Sequence, residues 1–164
     1  MVENLIEWFK GIPEELIIFI ISMLPIVELR GGLIAASLLG VKWAVAFPIC
    51  ILGNILPIPF VLFFFNKIIE WLKKTKLFGK FAAKMEKRAK QKSKKIDGAK
   101  FLGLMIFVGI PLPGTGGWTG AMAAALLNMR VKKSAPAILL GIILAGIIMS
   151  TVAYFIPGLF GFAF

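Results

Sequence analysis

Few side chains in this 164-residue sequence can do chemistry, and they cluster. Glu28 and Arg30 stand two apart in Pro25-Ile26-Val27-Glu28-Leu29-Arg30-Gly31-Gly32. A carboxyl group can take up and release a proton, and a guanidinium is a fixed cation suited to an anionic group. A second cluster reads Gly109-Ile110-Pro111-Leu112-Pro113-Gly114-Thr115-Gly116-Gly117-Trp118-Thr119-Gly120. It offers backbone amides at Gly114, Gly116 and Gly117, hydroxyls at Thr115 and Thr119, and the indole N–H of Trp118. With the amides of Gly31 and Gly32, and with Asn54 in an apolar run ahead of Pro57 and Pro59, these are the candidate substrate- and ion-binding residues. Ser150, Thr151 and Tyr154 are weaker candidates.

Each has a plainer reading. Glu28 and Arg30 can form an ion pair that only pins a turn. The second run can be tight packing through small residues, with Trp118 as filler. Asn54 can bond a freed carbonyl. No Gly-Lys-Ser/Thr follows the glycines, so the run is not a nucleotide P-loop. Histidine is absent and Cys50 is the only cysteine. That excludes His-based metal sites, Ser-His and Cys-His catalysis, disulfides and thiolate clusters. Cys50 reads as a buried inert thiol. No metal and no cofactor is expected, and beyond Glu28 and Asp97 catalysis has almost no candidates, so the chain does not read as an enzyme.

Polar groups of this kind need a scaffold, and the composition says which. Hydrophobic residues are 59% and charged residues 16%, against about a quarter charged in soluble domains. The chain reads as one all-α integral membrane domain over residues 1–164. Residues 13–40 are apolar but broken at Pro25–Gly32. Two crossings need about 40 helical residues, so this segment fits a re-entrant hairpin of two half-helices. Residues 42–66 then supply a full span.

Shifting the sequence by 88 repeats the plan. Residues 16–56 match 104–144 at 15 of 41 positions without a gap, including Leu24/Leu112, Pro25/Pro113, Gly32/Gly120, Pro48/Pro136 and Gly53/Gly141. Residues 101–128 become a second hairpin and 134–157 a second span. The organisation is therefore an interfacial helix over 1–11, repeat unit 1 over 13–66, a basic segment over 67–100 and repeat unit 2 over 101–157. Counting crossings gives the units opposite orientations, an inverted repeat like those of secondary transporters. The two broken tips are expected to meet near the bilayer midplane. The scaffold is duplicated but the ionisable pair is not, since Gly116 and Trp118 take the places of Glu28 and Arg30.

Net charge is +11, and residues 67–100 carry 13 basic and three acidic residues, so +10 sits there. Leu77, Phe78, Phe81, Ala82, Met85 and Ala89 recur at helical spacing among lysines, which predicts an amphipathic helix on anionic headgroups. Nucleic acid is not an expected partner. Loop 67–100 and Arg130, Lys132 and Lys133 fall on one side, which the positive-inside rule makes cytoplasmic. Both termini then lie outside. The acidic start around Glu3 and Glu7 reads as a retained interfacial helix rather than a signal peptide. Six membrane segments bury little polar surface alone, which leaves room for a homodimer.

Glu28-Leu29-Arg30-Gly31-Gly32, Gly53-Asn54-x-x-Pro57-x-Pro59 and the Pro111–Gly120 run resemble the family called putative small multi-drug export proteins. The resemblance covers most of the chain and implies a prokaryotic inner-membrane exporter of a small molecule. With Glu28 titratable, it suggests a proton-coupled secondary transporter. More distantly, the double-hairpin plan is similar to the DedA/VTT membrane proteins. That similarity implies the alternative of translocating or scrambling a phosphate-headed polyprenyl lipid. The arginine that pattern places in the second hairpin is here Trp118.

Overall fold

The computed structural model describes residues 11–73, 93–112 and 114–156. The expected helix over 1–11 and the amphipathic stretch Leu77–Ala89 lie outside the described residues. Among the described residues every regular element is helical: α1 (Glu14–Met23), α2 (Glu28–Leu38), α3 (Trp43–Ile55), α4 (Ile58–Lys73), α5 (Ser93–Gly109), α6 (Gly117–Leu126) and α7 (Val131–Ser150). A π-helical turn, Thr151–Phe155, extends α7.

Among the described residues two stretches are long and apolar enough to cross a membrane, Trp43–Ile68 and Val131–Phe155. The first is α3 running into α4, interrupted only where Pro57 and Pro59 lack N–H groups. The expected span 42–66 is longer in the structure, because Ile68, Ile69, Trp71 and Leu72 continue α4 without a glycine or proline to stop it. Likewise α5 begins at Ser93, inside the basic segment. Helices α1, α2 and α6 have 10, 11 and 10 residues. At 1.5 Å per residue each is about 15 Å long, half of a bilayer core.

The chain divides into two compact units, Met1–Leu56 with Ala145–Phe164, and Pro57–Leu144. In the first, α1, α2 and α3 pack on one another and the π turn packs on α2. Its core holds Ile18, Leu29, Leu33, Ala36, Ala46 and Cys50, all at or below 1% exposure. Gly53 permits close approach to the backbone of α1: a methyl there would lie 2.6 Å from the Phe19 carbonyl oxygen. The Ser37 hydroxyl donates to the Ala153 carbonyl (2.7 Å) and the Tyr154 hydroxyl to the Val41 carbonyl (3.0 Å), joining the π turn to the end of α2 and the start of α3. In the second unit α4 and α5 pack on α6. The core there includes Leu62, Leu104, Val108, Ala121, Ala124 and Ile138. Gly141 repeats the close approach, with a methyl position 2.7 Å from the Met105 carbonyl oxygen.

Local geometry recurs at the expected spacing of 88 in part of the chain. Helix α2 ends with Val41 N–H bonded to Ala36 O and Gly40 N–H to Ser37 O, and α6 ends with Met129 N–H on Ala124 O and Asn128 N–H on Ala125 O. Both are Schellman caps, with Gly40 and Asn128 at φ 73° and 53°. The first limbs do not keep that spacing. Gly53 lies against Phe19 O and the Ser22 Cβ, and Gly141 against Met105 O and the Val108 Cβ, a shift of 86. Helices α1 and α5 end at Met23 and Gly109, again 86 apart. The ungapped match of Leu16–Pro25 to Leu104–Pro113 is therefore two residues out of register. Leucine and isoleucine are dense enough there to match at several offsets. Two extra residues sit in the second tip, and Pro25 corresponds to Pro111.

Large apolar side chains are exposed in both units: Ile26 and Leu38 in the first, and Phe60, Phe63, Phe64 and Trp71 in the second, are each more than 60% exposed.

Candidate functional site

The first tip is Leu24–Val27, between α1 and α2. Helix α2 starts at Glu28, three residues earlier than the expected start near Gly31. The Gly31 N–H is bonded to the Val27 carbonyl (3.1 Å), and Gly32 lies inside the helix. These two glycines therefore serve contact rather than an open nest of amides. A methyl on Gly31 would overlap the Val27 side chain, and one on Gly32 the Ser22 hydroxyl. Glu28 and Arg30 are helical neighbours, not opposite ends of an extended turn.

Glu28 has φ 52° and is 6% exposed. A left-handed conformation costs a side chain with a Cβ about 1 kcal/mol. Its N–H bonds the Leu24 carbonyl (2.9 Å), closing the tip. Its carboxyl group stands in the first turn of α2, where the helix dipole favours negative charge. Arg30, half-buried, is close enough for the two charges to interact.

Below the tip lie Ser22, Gly32 and Cys50. The Ser22 hydroxyl donates to the Ile18 carbonyl (2.7 Å) and is fully buried. Cys50 is a buried free thiol, as its apolar setting implied. Asn54 is 2% exposed, and its Oδ1 accepts no hydrogen bond. The structure thus brings Glu28, Arg30 and Asn54 into one unit with Ser22, which sequence reasoning passed over. Its one signal was a hydroxyl in the otherwise apolar limb Phe19-Ile20-Ile21-Ser22-Met23-Leu24. The same unit holds Ser150, 2% exposed, whose Oγ is also without a hydrogen-bond partner.

The second tip runs from Ile110 to Gly116. The Thr115 hydroxyl lies 2.7 Å from the Ile110 carbonyl and 3.0 Å from that of Leu112, and accepts from the Leu112 N–H at 3.3 Å. One hydroxyl proton serves one acceptor at a time, and the shorter contact is to Ile110. The Thr115 N–H bonds Leu112 O (3.2 Å). Thr115 is thus a clip that closes the loop on itself. Gly114, at φ 82°, supplies the left-handed turn. Gly116 and Gly117 are buried, and Trp118 and Thr119 half-buried in the first turn of α6. The Thr119 hydroxyl approaches Gly116 O at 3.3 Å. Among the described residues no cluster of acids, cysteines or histidines could hold a metal.

Helix α2 from its first residue, the second tip, the stretch Trp43–Ile68 and most of Val131–Phe155 fall within one family match. The family model described as "Putative small multi-drug export protein" matches residues 28–148, about three quarters of the chain. No curated protein and no solved structure matches it. The chain belongs to the small multi-drug export family, and with its two apolar spans it is a membrane protein.

Proposed function

We propose that this member of the small multi-drug export family is a proton-coupled secondary transporter whose proton site is Glu28. One observation carries the reading: a carboxyl group is buried and held in a left-handed conformation at a break between two half-length helices. Strain and a buried acid are both costly, and the two coincide where transporters build ion sites. Arg30 and the N-terminus of α2 favour an anionic group on the substrate. The second tip, with Gly114, Gly116, Gly117, Trp118 and Thr119, forms the uncharged counterpart, its loop shape fixed by Thr115.

The hairpins α1–α2 and α5–α6 enter the bilayer part-way in this reading; the half-length helices α1, α2 and α6 support it, as does the apolar part of α5, which is only Gly98–Gly109. The charge count supports the inverted topology, with loop 67–100 on anionic lipids at the cytoplasmic face and both termini outside.

Proteoliposomes loaded with ethidium, or with carboxyfluorescein as the anionic probe, test the function. Dye flux should follow an imposed pH gradient and fall at least tenfold in Glu28→Gln. Equal flux in that variant removes the coupling role. Lipid translocation, the alternative, would instead move a fluorescent phosphate-headed lipid without any gradient and lose it in Arg30→Ala.

A further inference from the structure

We infer that Asn54 is the second station of the Glu28 proton: protonated Glu28 donates its O–H to Asn54 Oδ1, and ionised Glu28 turns to Arg30. The inference rests on the reading of Glu28 as the proton site.

Register sets the two positions level on neighbouring helices. Helices α2 and α3 are joined by a four-residue connection and pack on each other, as antiparallel neighbours do. Gly32 meets Cys50, a methyl on the glycine lying 3.1 Å from the thiol sulfur. One helical turn from that contact toward the tip is Glu28 on α2 and Asn54 on α3. Both are buried, at 6% and 2% exposure. Position 53 faces the Phe19 carbonyl near the end of α1, so Asn54 also lies at the tip end of this unit.

The hydrogen-bond inventory then selects the partner. Asn54 Oδ1 is a strong acceptor, fully buried, and accepts nothing. A carboxylate cannot serve it, because both groups only accept; a carboxylic acid can, since it carries an O–H. Of the buried hydroxyls in this unit, Ser22 already gives its proton to Ile18, and Ser150 bonds nothing and so does not reach Asn54. Glu14 and Glu15 lie at the far end of α1. On α3 the titratable neighbours are Lys42, at its start, and Cys50, a turn below. On the π turn Tyr154 gives its hydroxyl proton to Val41, at the far end of α2. None of these stands level with Glu28, whereas Asn54 does. Arg30 interacts with the ionised form. Proton uptake from water thus exchanges a charge pair for a neutral acid–amide pair and releases Arg30 toward a substrate anion.

Infrared difference spectroscopy on the full-length protein in liposomes tests this. Acidification should produce a protonated-carboxyl C=O band that is lost in Glu28→Gln. In wild-type protein with ¹³C-carboxamide-labelled asparagine, an amide C=O band should shift with the same pH midpoint. In Asn54→Leu the acid band should move to higher frequency, as for an acid without an acceptor. It should also appear only at roughly tenfold higher proton concentration, about one pH unit lower, and Asn54→Gln should restore part of both changes. An acid band that responds to Glu28→Gln but not to Asn54→Leu, or a silent amide band in wild type, overturns the role of Asn54 and leaves the proton site standing. No Glu28-dependent band between pH 4 and 9 overturns both. The wild-type labelling arm needs no variant to fold.

Discussion

At the scale of single residues, Glu28 combines two costs that folding alone would remove. Its backbone is left-handed and its carboxyl group is buried. Glycine adopts that backbone freely. Glu28→Gly should therefore leave the thermal stability of the detergent-solubilised protein unchanged or raise it by about 1 kcal/mol, while abolishing proton-driven flux. A marked fall in melting temperature would show that the carboxyl group holds the tip together, as a static ion pair with Arg30 would. Thr115 makes the opposite case. Its hydroxyl bonds the backbone of its own loop, at Ile110 and Leu112. Thr115→Val should cost about 1 kcal/mol of stability and, by loosening the second tip, slow flux without altering its pH profile. A changed pH profile would place Thr115 in the proton path instead.

At the scale of elements, small residues decide how closely the helices approach. Gly53→Ala and Gly141→Ala would each drive a methyl into a backbone carbonyl, at 2.6 and 2.7 Å. Backbone cannot step aside as a side-chain end can, so each should destabilise by about 1–3 kcal/mol. Gly103 sits in α5, exposed, with open space around its methyl position. Gly103→Ala should stabilise by up to about 1 kcal/mol through helix propensity alone. Thermal melts of the three variants check the contrast, and equal shifts would mean that glycine content, not contact, governs packing.

The element scale is also where the sequence was most and least legible. Prolines and glycines located both tips, the short helices α1, α2 and α6 and the long apolar runs, because those residues act on their own backbone. The 88-residue spacing holds at the caps of Gly40 and Asn128 and at the close contacts of Gly53 and Gly141. It mispaired the first limbs, since apolar composition matches at more than one offset and only packing fixes the register. The start of α2 at Glu28 was hidden for a similar reason. Glycines at 31 and 32 suggest a break, but tertiary contact with Val27 and Ser22 keeps them helical. The open acceptor on Asn54 and the clip at Thr115 depend on which groups three-dimensional packing leaves in reach, and no spacing encodes that.

At the scale of the whole molecule, the distribution of charge makes a claim about membrane sides that a single chemical probe can check. The bilayer sorts a chain by its lysines and arginines, and +10 of the +11 net charge lies in residues 67–100. Lys42 ends one connection that this rule assigns to the outside, and Lys132 opens a stretch whose start the same rule assigns to the cytoplasm. The chain carries its own control, because its one cysteine is fully buried. A membrane-impermeant maleimide should leave the wild-type protein unlabelled in intact cells. Lys42→Cys should be labelled in intact cells, and Lys132→Cys only after permeabilisation. Both positions are exposed ends of helices, so neither substitution should disturb packing. Labelling of Lys132→Cys in intact cells would reverse the orientation. Labelling of both there would mean that the segments between them cross an even number of times, which a single crossing by Trp43–Ile68 does not allow, and the opposite orientation of the two units would have to be abandoned along with the transport route built on it.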